Sequence, residues 1–144
     1  MTIVKQLLQG KGSEVWSISP EATVYEALQL MADKNIGALV VLEGGKLAGI
    51  ISERDYARKV ILHQKSSMQI PVSEIMTRTV FFVSPDASIE ECMALMTNQR
   101  VRHLPVLEDD KLVGVISIGD VVKAIISNQE FMIEQLQNYI VGGG

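Results

Sequence analysis

The sequence predicts a mixed α/β fold: two tandem copies of a β-α-β-β-α unit, packed about a pseudo-twofold axis. Three observations carry that prediction. Sliding the chain over itself by 65 residues aligns Val15–Gln64 with Val80–Gln129 without a gap, and more than a third of the fifty positions are identical. Both halves alternate short aliphatic runs with helical periodicity in the same order, so the duplication is one of structure and not of composition. A unit of about fifty residues is marginal on its own, and two packed together would share a core.

Each element follows from local chemistry. Ile3–Leu8 reads as a lead-in helix. The first strand, Trp16–Ile18, stops at Ser19-Pro20 because proline cannot donate into a ladder. A helix opens on the capping box Thr23…Glu26 and carries Val24, Ala27, Leu28 and Met31 on one face. Strands Ala38–Leu42 and Leu47–Ile51 flank the hairpin turn Gly44-Gly45, and a second helix starts from Ser52. A linker, His63 to Ser67 and on to Pro71, leads to a second lead-in helix, Val72–Met76.

The second copy repeats the plan. Its elements are strand Phe81–Val83, Ser84-Pro85, the box Ser88…Glu91 with Ile89, Cys92, Met93 and Met96, strands His103–Leu107 and Leu112–Ile116 about Asp109-Asp110, and a helix from Ser117. The last helix runs on to about residue 140, with Phe131, Ile133, Leu136, Tyr139 and Ile140 in its extension. That is more apolar surface than one free helix can hide, so it should dock on a neighbouring subunit or across the module's own face. The expected division is 1–68 for the first repeat with its lead-in helix, 69–128 for the second repeat, and 129–144 for the helix extension and glycine tail.

Composition removes several classes of function. Apolar residues make up 47% and charged residues 21%, which excludes a disordered chain. A net charge of −4 leaves no basic footprint for nucleic acid and no polybasic anchor for a membrane. The start MTIVKQLLQGKG has no apolar signal core, and no long uncharged apolar window occurs, so a cytoplasmic protein is expected. The single Cys92 lies on an apolar helix face, where it acts as a small hydrophobe. Two distant histidines without cysteine partners give no metal site, and no nucleophile, base and orienter set marks an enzyme.

The informative spots are the two strand-to-helix junctions, Gly49–Asp55 (GIISERD) and Gly114–Asp120 (GVISIGD). A helix start offers free N–H groups to an anion, a serine hydroxyl can donate to phosphate, and an ionised aspartate can accept both hydroxyls of a ribose. Ser-x-x-Asp is also an ordinary capping box, as Thr23 and Ser88 illustrate. Arg100, Arg102 and His103 form a second constellation at a strand entry, where arginine suits a phosphate and where a solvated helix end is the plainer reading. The first repeat has Asn35, Gly37 and Ala38 there, so two sites built on this plan are not equivalent.

At these residues the chain resembles the CBS-domain family: SPxxTVxEAL, RHLPVLEDDKLVGVIS and the Gly-x-x-Ser-x-x-Asp ending, with the doubling extending over nearly the whole chain. It is similar to small bacterial proteins that consist of one CBS pair (a Bateman module). The resemblance implies adenine nucleotides (AMP, ADP, ATP, or NAD) in clefts between the repeats, and a disc-shaped homodimer. One site would then take Ser52 for phosphate and Asp55 for ribose, with Arg54 beside them, Val80, Phe81, Val101 and Pro105 around the adenine, and Arg102 and His103 on the phosphates. The other would take Ser117 and Asp120 with Val15, Trp16, Ile36, Gly37, Ala38 and Val40. Lacking a cation at Gly37-Ala38, the second is the weaker twin, and the Asp55 site is favoured. The function implied is a regulatory sensor, not an enzyme, that signals nucleotide state to a regulated protein through conformation or dimer packing. The alternative is a structural dimerisation scaffold with degenerate sites.

Overall fold

Serine and threonine caps, aliphatic strand runs and two hairpin turns lay out the chain as expected. The computed structural model describes residues 2–12 and 14–141, so the glycine tail lies outside the described residues. The elements in order are α1 (Val4–Lys11), β1 (Ser17–Ile18), α2 (Val24–Lys34), β2 (Ala38–Glu43), β3 (Lys46–Ser52), α3 (Glu53–Lys59), a 3-10 turn (Ile61–His63), α4 (Val72–Ile75), α5 (Ile89–Gln99), β4 (His103–Glu108), β5 (Lys111–Ser117) and α6 (Ile118–Val141). None of the described helices is long and apolar enough to cross a membrane.

In the first repeat β1 pairs parallel with β2, and β2 pairs antiparallel with β3, with a bulge between Val41 and Leu42. The second repeat copies the hairpin, β4 against β5 with its bulge between Val106 and Leu107. Both turns hold two left-handed residues, Gly44 and Gly45 at φ 60° and 80°, Asp109 and Asp110 at φ 51° and 64°. That is the turn whose twist matches a two-residue hairpin, and aspartate tolerates it where most side chains do not.

The expected strand Phe81–Val83 is reduced to one parallel bridge, Val83 to Val106. Pro105 stands where Val40 stands in the first repeat, and it has no N–H to give to the neighbouring strand. The second helix of the first repeat is also shorter than its counterpart. It gives way after Lys59 to the 3-10 turn, and Gln64 turns left-handed at φ 57°.

Contacts group the chain into two compact units, Met1–Ser13 with Phe82–Gly144, and Glu14–Phe81. The lead-in segments are exchanged. Val4 and Lys5 donate to the carbonyls of Ala87 and Pro85 (2.8 and 2.9 Å), while Val72 and Ser73 donate to those of Ala22 and Pro20 (2.7 and 3.0 Å). In return Ile89 donates to Thr2 and Val24 to Ile70. Each lead-in thus satisfies backbone groups at the helix start of the repeat it does not precede, groups that would otherwise go unpaired.

The core of the Glu14–Phe81 unit gathers Val24, Ala27 and Met31 of α2, Leu39, Val41 and Ile51 of the sheet, and Val60, Ile70, Val72, Ile75 and Met76. The other unit buries Ile89, Cys92, Met96, Leu104, Val106, Ile116 and Val121 in matching positions, with Val4 and Leu8 of α1. Burial pushes the Cys92 thiol up to about 11, with Glu91 and Glu90 adding to it, which keeps it protonated and inert at neutral pH.

Candidate functional site

Both Ser-x-x-Asp junctions are built as reciprocal caps. At the first, Ser52 donates its N–H to Asp55 Oδ2 (2.9 Å) and its hydroxyl to the same oxygen (3.1 Å), while the Asp55 N–H returns to Ser52 Oγ (3.2 Å). Two further groups reach Asp55 Oδ1, the Thr77 hydroxyl at 3.4 Å and Lys59 Nζ at 3.2 Å. Lys59 stands one turn along α3, the helical spacing at which opposite charges meet. Ala38 opposes Ser52 across the hairpin, and the Glu53 N–H donates to Gly37 O at 3.1 Å. Arg54 is exposed and forms no ion pair among the described residues.

At the second junction the Ser117 N–H donates to Asp120 Oδ2 (2.8 Å) and the Asp120 N–H to Ser117 Oγ (3.1 Å). Lys11 of α1 completes it, with Nζ 2.5 Å from Asp120 Oδ2 and 2.7 Å from the carbonyl of Val115. Burial works against the ionised Asp120, but the hydrogen bonds from Lys11 and Ser117 outweigh it and hold the carboxyl below the usual aspartate range.

Across the same hairpin His103 opposes Ser117, and the Ile118 N–H donates to Arg102 O at 2.8 Å. Burial first, then the charges of Lys11 and Arg102, hold His103 below its ordinary value, with Asp120 partly opposing them. Lys11 and His103 therefore face one carboxylate, Asp120, at the start of the longest helix, with the exposed Arg102 next to His103. The arrangement can hold an anion against Lys11 and the helix start, and hydroxyl donors against Asp120.

Within each unit the structure places the implied site residues as follows. Arg102 and His103, which the resemblance groups with Ser52 and Asp55, stand within their own unit across the hairpin from Ser117 and Ile118, because an antiparallel hairpin places the entry of its first strand against the exit of its second. Val101 and Pro105 share that unit, whereas Val80 and Phe81 lie in the unit of Ser52 and Asp55. Val15, Trp16, Ile36, Gly37, Ala38 and Val40 also lie in the Ser52 unit. There Lys34 Nζ stands 4.2 Å from the centre of the Trp16 ring, which occupies one face of that aromatic. Among the described residues no cluster of His, Cys, Asp and Glu could hold a metal ion.

Three participants were not singled out from the sequence. Lys59 was readable, four residues after Asp55. Lys11 and Thr77 were not, since both reach their carboxylates through the exchange of lead-in segments.

Comparison with known proteins gives a consistent picture. The family model for the CBS domain matches residues 11–62 and 72–127. A relative from Arabidopsis thaliana, the mitochondrial CBS domain-containing protein CBSX3, is 40% identical over 99% of this chain and 73% of its own length. The solved structure of a putative signal-transduction protein with CBS domains from Burkholderia ambifaria MC40-6 is 51% identical, with a TM-score of 0.86 over 89% of this chain and 96% of that one. The CBS domain pair of protein MJ0100, solved in complex with 5-methylthioadenosine and S-adenosyl-L-methionine, is 25% identical with a TM-score of 0.78, covering 89% and 98% of the two chains.

Proposed function

The chain belongs to the CBS domain family, and from that premise we propose that it is a cytoplasmic regulatory module that binds an adenine nucleotide and is not an enzyme. The ligand is AMP, ADP, ATP or NAD, and the module acts as a homodimer whose ligand state a regulated protein reads through conformation or dimer packing. One observation carries the ligand class: Lys11 and His103 collected about Asp120 at the start of α6, with Arg102 adjoining His103. A nucleotide offers each member of that group a partner. Its phosphate replaces Asp120 as the anion for Lys11, and its ribose hydroxyls replace Lys11 as donors to Asp120. The adenosine part common to both ligands of the MJ0100 pair supports the same class. The Ser52–Asp55 junction, with Arg54, Val80 and Phe81 in its unit, is the second position.

Signalling of this kind needs a ligand that prefers one of two states. Calorimetric titration with AMP, ADP, ATP and NAD should give saturable binding for at least one, with dissociation constants of about 1 mM or tighter. Heatless titrations with all four, and no thermal stabilisation by any, would leave the scaffold reading. That second reading is favoured by one fact: Asp55 and Asp120 both have partners within the chain already.

His103 supplies a pH signature. Burial holds its folded-state value below that of an ordinary histidine, so the folded protein binds fewer protons than the unfolded chain, and stability present above the ordinary histidine range is lost as pH falls through it towards the folded value. Urea unfolding at about pH 7.5 and about pH 5.5 should show a drop for the wild type that His103→Gln reduces. An equal drop in both proteins would remove His103 as its source.

A further inference from the structure

We propose that the exposed half of α6 is a dimerisation helix that pairs in parallel with the same helix of a second copy of this chain. The inference rests on the homodimer reading and is independent of which nucleotide binds. Up to Asn128 the helix is tied to its own unit: Val121 is fully buried, and the Thr2 hydroxyl donates to Asn128 Oδ1 at 3.0 Å. From Gln129 to Ile140 every residue is exposed, including Ile133 at 55%, Leu136 at 59% and Ile140 at 74%. A helical extension of about a dozen residues is marginal in water without a partner. It has no charge pair to steady it either, since Glu130 and Glu134 stand one turn apart with like sign.

The spacing of its apolar residues identifies the occupant. Ile126, Ile133 and Ile140 recur every seven residues, with Gln129 and Leu136 between them at the alternating three-and-four step. That is the seam of two supercoiled helices, narrower than the broad face a helix turns to a globular core. Branched isoleucine at the first seam position and leucine at the second favours two parallel strands. Charge agrees with self-pairing. Glu134 falls outside the seam, and Glu130 beside it meets the uncharged position 125 of the other copy, so no like charges meet. From Ala124 to Val141 there is no lysine or arginine, which argues against an anionic membrane surface as the occupant.

The test uses the full chain and the double variant Ile133→Asp/Leu136→Asp, both positions being exposed and outside the core. Sedimentation equilibrium should give the variant half the mass of the wild type at equal concentration, with an unchanged circular-dichroism melt of the body. Equal masses for a dimeric wild type and its variant would overturn the inference and leave the homodimer reading standing. A monomeric wild type, alone or collecting on phosphatidylcholine vesicles, would overturn both. A second variant, Ile140→Cys, should cross-link into a disulfide-bonded dimer on mild oxidation, because only a parallel pair brings the two copies of residue 140 together. A dimer that fails to cross-link there would overturn the parallel arrangement.

Discussion

Asp120→Asn should weaken nucleotide binding by about ten- to a hundredfold, the loss expected when hydrogen bonds to an ionised group are removed. Asparagine keeps an oxygen for the Ser117 N–H, so the cap of α6 survives while the charge that recruits ribose hydroxyls and Lys11 does not. The matching change Asp55→Asn should weaken binding less. Asp55 receives the Ser52 N–H and hydroxyl, the Thr77 hydroxyl and Lys59, and its side chain is 14% exposed against 25% for Asp120. A carboxylate with that many donors has little acceptor capacity left for a ligand. Calorimetry on both variants, with melting curves to show that each folds, decides between the two junctions. A larger loss with Asp55→Asn than with Asp120→Asn would return the main site to Ser52.

The comparison of the two junctions also marks where sequence reasoning stops. The duplication, both hairpins, both caps and the aliphatic cores follow from local rules, and the structure bears them out because no long-range arrangement competes with them. The position of His103 opposite Ser117 was equally legible. Counting back from the turn at Asp109-Asp110, with one bulge, reaches it directly. The resemblance groups His103 across the repeats, and the hairpin register adds its neighbour within the repeat. Loss of the Phe81–Val83 strand could likewise be read from Pro105, whose missing N–H is a sequence fact.

Lys11 is different in kind. Its contact with Asp120 spans more than a hundred residues and depends on α1 packing against the repeat it does not precede. No periodicity of α1 specifies which of two similar repeats its apolar face meets. That choice is made by backbone bonds such as Val4 to Ala87, which sequence patterns do not encode. The same exchange brings Thr77 to Asp55 and Met76 to the surface of β3.

The exchange also makes two equivalent glycines respond unequally. A methyl group on Gly49 would lie 2.8 Å from the Thr77 carbonyl oxygen and 2.9 Å from Met76 Sδ. That oxygen is not free to move: it accepts the Ile50 N–H at 3.0 Å while the Thr77 N–H donates to Ile50 O at 2.8 Å. Relief of the overlap therefore requires breaking the bridge that holds the end of α4 on β3, and Thr77 would carry its bond to Asp55 away with it. Gly49→Ala is expected to cost about 2–3 kcal/mol, the upper range for overpacking a filled site. On Gly114 the same methyl meets Leu8 Cδ2 and Cδ1 at 2.7 and 3.0 Å, the far end of a flexible side chain. Leu8 can rotate, so Gly114→Ala should cost about 1 kcal/mol. Urea unfolding of the two variants tests the difference, and equal costs would mean that the Thr77 backbone yields as easily as a leucine side chain. In the double variant Gly114→Ala/Leu8→Ala the added methyl fills part of the space the leucine leaves. Its cost should therefore be smaller than the sum of the two single changes, as expected for residues in direct contact.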